Sequence, residues 1–155
     1  MAQGAGSVTV SRAVLIGRAL GFCIYVAAFF LPACRTVSTS GGEAPDILRG
    51  SRCAWITLVN TLNPEMWHST NFLAVLSGWI NPLILLYLVL LLFPAMRWPR
   101  RIVAGVIVLF IAGTWVFFAL FPLVPLVGHV LWIAGILLIP AGEALGRGRA
   151  GSAAA

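Results

Sequence analysis

From Asn71 to Met96, and again from Ile102 to Gly142, the chain carries no charged residue. A transmembrane helix needs about 20 predominantly apolar residues, so the first run suffices for one crossing and the second for two. Pro122 and Pro125 divide the second run, because proline lacks a backbone donor and interrupts a helix. Composition points the same way. Of the 155 residues 61% are hydrophobic and 9% are charged, against roughly 25% charged in soluble domains. A fold of this length cannot hide that much apolar surface from water, so lipid is its solvent.

Four spans are predicted, over residues 13–33, 70–94, 102–121 and 126–142, giving an all-α integral membrane four-helix bundle. The ends, 1–12 and 143–155, are small and polar without periodicity and read as disordered cytoplasmic tails. Arg18 falls inside the first span, where its long stem lets the charge reach the headgroups. That span ends in Leu31-Pro32-Ala33-Cys34, which loosely resembles a lipoprotein processing box. Proline before the small residue and arginine after the cysteine fit such a box poorly, and the segment is read as a permanent span.

Residues 34–69 form the one long loop. Within it Pro45-Asp46 reads as a helix start, and Leu48, Trp55, Ile56, Val59 and Leu62 recur at helical spacing until Asn63-Pro64. The pattern predicts one short amphipathic helix lying in the interface with Trp55 as its anchor, a brace or alternatively a lid over a cavity.

All ten basic residues are arginine. With the N-terminus inside, Arg12, Arg18, Arg97, Arg100, Arg101, Arg147 and Arg149 fall on the inner side. Only Arg35, Arg49 and Arg52 fall outside, where Glu43, Asp46 and Glu65 balance them. The positive-inside rule therefore places both termini in the cytoplasm of a bacterial inner membrane. The net charge of +6 is no nucleic-acid signal, because the arginines flank spans and form no basic face.

Asn81-Pro82, in the middle of the second span, is the least expected step. Proline leaves unpaired carbonyls near Leu76 to Gly78, and in lipid no water can satisfy them. The pair predicts either a kink, with the Asn81 side chain supplying a donor to those carbonyls, or a new helix starting at Pro82 with Asn81 as its cap. Under both readings Asn81 faces the bundle interior.

Few residues offer chemistry. The polar side chains within the spans are Ser77, Asn81, Thr114 and His129, and no span contains Asp or Glu. A proton-coupled exporter lacks its buried carboxylate here, and Ser77 has no acid–base partner in reach by sequence. His68 and His129 both fall near the outer face, but two histidines without carboxylate or thiolate support make too poor a ligand set for a metal or haem. Cys23 is a small packing residue. Cys34 and Cys53 both belong to the outer loop, an oxidising location in bacteria, and form a candidate disulfide. Such a bridge would tie the amphipathic helix to the top of the first span and stabilise by about 3 kcal/mol. Membrane thiol oxidoreductases use close Cys-x-x-Cys pairs, which this chain lacks. The chain is thus read as no enzyme, with no cofactor. Gly105, Gly113, Gly128 and Gly135 are read as permitting close helix approach.

Three short motifs fall in a fixed order: Phe30-Leu31-Pro32-Ala33 ending the first span, Trp79-Ile80-Asn81-Pro82-Leu83 in the second, and Gly128-His129-Val130-Leu131-Trp132 in the last. This order resembles an uncharacterised family of small four-span bacterial membrane proteins, which carry a Trp-x-Asn-Pro-Leu step and a Gly-Tyr-Tyr-Leu-Trp-like step in these places. His129 and Val130 stand where that family has aromatic residues. The resemblance covers residues 13 to 142 and implies a fold and a location, but no activity.

The function expected is that of a non-enzymatic, structural or accessory multi-pass protein, working through the lipid bilayer and another membrane protein or a second copy of itself, without nucleic acid. The rival is a small transporter or channel with a polar pocket near Asn81 and His129. One geometric question separates them: whether polar residues from different spans converge on one cavity.

Overall fold

The computed structural model describes residues 12–37, 46–68 and 71–152, with residues 13 and 142–152 described by their backbone alone. In chain order these form helix α1 (Arg12–Ala28), strands β1 (Pro32–Thr36) and β2 (Ile47–Arg49), helix α2 (Gly50–Asn60), a 3-10 turn (Pro64–Trp67), helices α3 (Phe72–Leu91) and α4 (Arg97–Leu120), strand β3 (Leu123–Pro125) and helix α5 (Val127–Ser152). The first eleven residues and the Thr39–Gly42 stretch with Pro45 lie outside the described residues.

The four long helices pair as α1 with α5 and α3 with α4. Their shared core is Tyr25, Ile80, Ile84, Tyr87, Ile107, Ile111, Ile136 and Ile139. Backbones come close where glycine permits it. A Cβ on Gly135 would lie 2.5 Å from the Tyr25 nitrogen and 2.8 Å from the Gly21 carbonyl oxygen, so α1 and α5 touch main chain to main chain there. Gly128 likewise meets the Pro32 carbonyl, whereas Gly105 faces open space and Gly113 meets only Leu73 at 3.8 Å.

Helices α3 and α4 are long and apolar enough to cross a membrane, while the apolar stretches of α1 and α5, Val14–Ala28 and Val127–Ala141, are shorter. Only 39% of the apolar window of α3 and 17% of that of α4 is buried. The core helix of a water-soluble protein would bury most of such a surface.

The all-α expectation needs correction, because a small antiparallel sheet of order β2-β1-β3 caps one end of the bundle. Cys34 pairs with Leu48 on one side and with Pro125 on the other. The reason is backbone accounting. α1 stops at Ala28, short of the predicted residue 33, and the chain that follows must satisfy its own polar groups. It does so by pairing: Leu126 N donates to Ala33 O at 2.8 Å and Val37 N to Pro122 O at 2.8 Å. β3 is an edge strand, so Pro125 costs it no ladder bond.

The same accounting moves the amphipathic helix. Asp46 is not a helix start; it lies in extended chain, where its backbone exchanges hydrogen bonds with Thr36. α2 begins instead at Gly50, where Gly50 N donates to Leu31 O (3.0 Å) and Ser51 N to Phe29 O (2.9 Å). The orphan donors of one helix thus satisfy carbonyls just beyond the end of the other.

Three further boundaries differ. α3 runs unbroken through Pro82, so no new helix starts there and Asn81 caps nothing. α4 takes the basic turn into its first turn, starting at Arg97. α5 continues as helix to Ser152, past the expected end at residue 142 and through most of the predicted tail.

Candidate functional site

Beneath the cap lies a cavity of about 190 Å³. Its position follows from the pairing of elements. α1 ends there, α3 begins, α4 ends and α5 begins, while β1 and α2 close it from above. Ser77 and Asn81 reach it from α3, Thr114 from α4 and His129 from α5. Cys34 adds a thiol from β1 and Cys53 another from α2. Among the described residues no charged side chain lines it.

Asn81 sits at the junction between this cavity and the core. Its Oδ1 accepts from the Tyr25 hydroxyl (3.0 Å) on α1 and from Trp132 Nε1 (3.1 Å) on α5. An indole N–H can only donate, so the atom it meets must be the amide oxygen. The amide NH2 is then the group that Asn81 has left for the cavity. Asn81 therefore faces the interior, but it works as an acceptor joining three helices rather than as a donor to carbonyls of its own helix. Tyr25 and Trp132 were missed by the sequence reading. The available signal was three side chains with matching donors and acceptor, one in each of three spans.

The hydroxyls on the wall are committed elsewhere. Ser77 Oγ donates to Ala74 O (2.7 Å), Thr114 Oγ1 to Phe110 O (3.0 Å) and Thr57 Oγ1 to Cys53 O (3.0 Å). This back-bonding is the usual solution for a hydroxyl on an apolar helix. His129 differs. It is 7% exposed, and its Nε2 has no hydrogen-bond partner among the described residues. Rings enclose it: Phe118 with centroids 4.7 Å apart, Trp132 at 5.5 Å and Trp115 at 5.8 Å. A buried unpaired nitrogen costs stability.

α2 is turned inside out relative to a helix on a water-soluble protein. Most of its large apolar residues face away from the protein, with Trp55 66% exposed and Leu58 and Val59 also exposed, while Ile56 reaches the cavity. Its half-buried face is Cys53, Ala54, Thr57 and Asn60, and it rests on α3 at Gly78. A Cβ on Gly78 would lie 2.7 Å from the Thr57 carbonyl oxygen. The spacing of Cys53, Thr57 and Asn60 marks a helix face, the signal in the sequence that favours the lid alternative over the brace.

The two loop cysteines are brought together as free thiols with their sulfurs 3.3 Å apart. The hydrogen bond between them lowers the Cys34 pKa against the opposing effect of burial, and it raises that of Cys53 in step with burial. The contact therefore favours a single thiolate in the pair, held by the proton of the other thiol. Cys23 is exposed on α1. The two histidines are not brought together as a pair: His68 is exposed beyond the 3-10 turn and does not line the cavity. No protein-family model, curated protein or solved structure matches this chain, so the geometry carries the functional argument.

Proposed function

We propose that this chain is a four-span protein of the bacterial inner membrane, akin to the small family it resembles, with both termini cytoplasmic and a binding cavity for a small neutral molecule under its outer cap. This is the pocket reading, preferred to a purely accessory role. The observation that carries it is the convergence of Asn81, Thr114, His129, Cys34 and Cys53 from five separate elements on one uncharged cavity. A bundle serving only as scaffold has no reason to hold an unpartnered imidazole at that point. The isoleucines at positions 80, 84, 136 and 139 are fully buried, so the bundle is packed solid below the cavity.

Two features support the placement in lipid. The outward apolar face of α2 suits the interfacial region of a bilayer. Arg97, Arg100 and Arg101 occupy the N-terminal turn of α4, where the helix dipole disfavours cations; retention of positive charge on the cytoplasmic side accounts for them.

Two measurements test the reading. Reporter fusions after Met96 and after Ala155 should both read cytoplasmic, and a periplasmic signal from either would reject the topology. In a cysteine-free background, Ser77→Cys should react in intact cells with a small neutral thiosulfonate, while Ile136→Cys should not. An unreactive Ser77→Cys would mean that the cavity is closed to small molecules.

A further inference from the structure

We propose that Cys34 and Cys53 are a redox couple that passes two electrons to a neutral para-quinone held in the cavity. The inference rests on the binding-cavity reading and adds a ligand class and a reaction to it. Both sulfurs line the same cavity as the Asn81 amide and the His129 imidazole. They stand 3.3 Å apart, so closing to a disulfide of about 2.05 Å needs only a small side-chain movement.

The surroundings select the oxidant. With no charged side chain on the wall among the described residues, an ionic oxidant would be desolvated without compensation. Cys34 is buried, which keeps it from the active site of a soluble protein partner. A para-quinone is uncharged in both oxidation states, dissolves in lipid and presents a flat ring to Phe117, Phe118 and Trp132, which line the cavity. The volume of 190 Å³ is many times the ~10–15 Å³ that one water needs by the same measure, which leaves room for a single substituted ring. The quinone carbonyls need donors, and the amide NH2 of Asn81 is one. A neutral His129 serves either state, donating to a carbonyl when Nε2 carries the proton and accepting from a hydroquinone hydroxyl when it does not.

The step balances. Two S–H bonds break and one S–S bond forms between Cys34 and Cys53. The two electrons and two protons released convert the quinone to its hydroquinone. The reaction starts from the thiolate of one of the two cysteines, whose released proton is one of the two that the hydroquinone takes up.

The test uses the full chain in detergent, reduced and then freed of reductant under argon. Duroquinone is the probe, because its four ring methyls block addition of thiols to the ring. The expected result is loss of two free thiols with no covalent adduct, matched by one equivalent of hydroquinone. Cys23→Ser should behave as the parent. Cys34→Ser and Cys53→Ser should abolish the reaction, and His129→Phe should slow it about tenfold, the effect of one lost hydrogen bond. Ferricyanide, which is charged, should oxidise the pair far more slowly. Thiols that stay reduced, equal rates with ferricyanide, or a Cys34→Ser variant that still forms hydroquinone would overturn the proposal. Tryptophan fluorescence separates this failure from failure of the cavity reading. Saturable quenching by duroquinone with the thiols intact would reject the redox step and leave the cavity standing. Absence of both quenching and oxidation would reject both.

Discussion

Below Asn81 the bundle is dry. Ile80, Ile84, Ile136 and Ile139 are fully buried, Tyr87 nearly so, and Tyr25, Ile107 and Ile111 complete a core drawn from all four long helices. Above Asn81 the same helices diverge around a cavity with thiols, an amide and an imidazole on its wall. Natural folds maximise packing where nothing else is asked of them and give up stability where a ligand must be held. The dry end therefore reads as the part that keeps the bundle together, and the capped end as the part that uses it. Substitutions at the two ends should move stability in opposite directions.

The largest effect belongs to the dry end. Ile84→Ala leaves a hole in a fully buried layer and should destabilise by about 2–4 kcal/mol, read as a lowered melting temperature in detergent. A shift as small as that of an exposed residue such as Leu85→Ala would mean that the layer is loosely packed. The junction comes next. Asn81→Leu strands the Tyr25 hydroxyl and the Trp132 indole N–H together and should cost about 1–3 kcal/mol. An unchanged melting temperature would show that the three-helix contact contributes nothing. The smallest effect, of opposite sign, belongs to the capped end. His129→Phe keeps a ring among rings and removes a buried unpaired nitrogen, so stability should hold or rise by up to about 1 kcal/mol. A clear fall would mean that the imidazole is paired in the protein, and would erase the contrast between the ends.

Much of the bundle could be read from the chain, and the cap could not. α3 and α4 announce themselves through uncharged runs, and the inward-facing Asn81 follows from the cost of a polar group in lipid. The sheet left no such trace. Its strands are three to five residues long, too short to alternate, and Pro32, Pro122 and Pro125 read as breaks rather than as edges. The start of α2 was displaced for a related reason. Asp46 has the chemistry of a cap, but the first N–H groups of α2 find carbonyls just past α1, a partner that no local pattern displays. Cys34 and Cys53 were legible as a pair because both lie in one loop. Their sharing a wall with Asn81 and His129 was not, since it depends on α1 pairing with α5 and α3 with α4, a choice made by glycines such as Gly135 and by packing between distant segments. The polar side chains could be named in advance, but not the place where they meet.

The pairing of α1 with α5 also dictates an order of assembly. α3 and α4 are neighbours in the chain and can associate as soon as both are made, because a short turn costs little loop entropy. α1, made before them, must wait for α5. β1 waits with it, since one of its edges is completed by Leu123–Pro125, residues synthesised only after α4. Until α5 arrives, His129 and Trp132 are missing from the wall, and Asn81 lacks one of its two donors. The cavity is therefore the last part of the molecule to exist, formed in the closing step of biogenesis around a hairpin that was already in place.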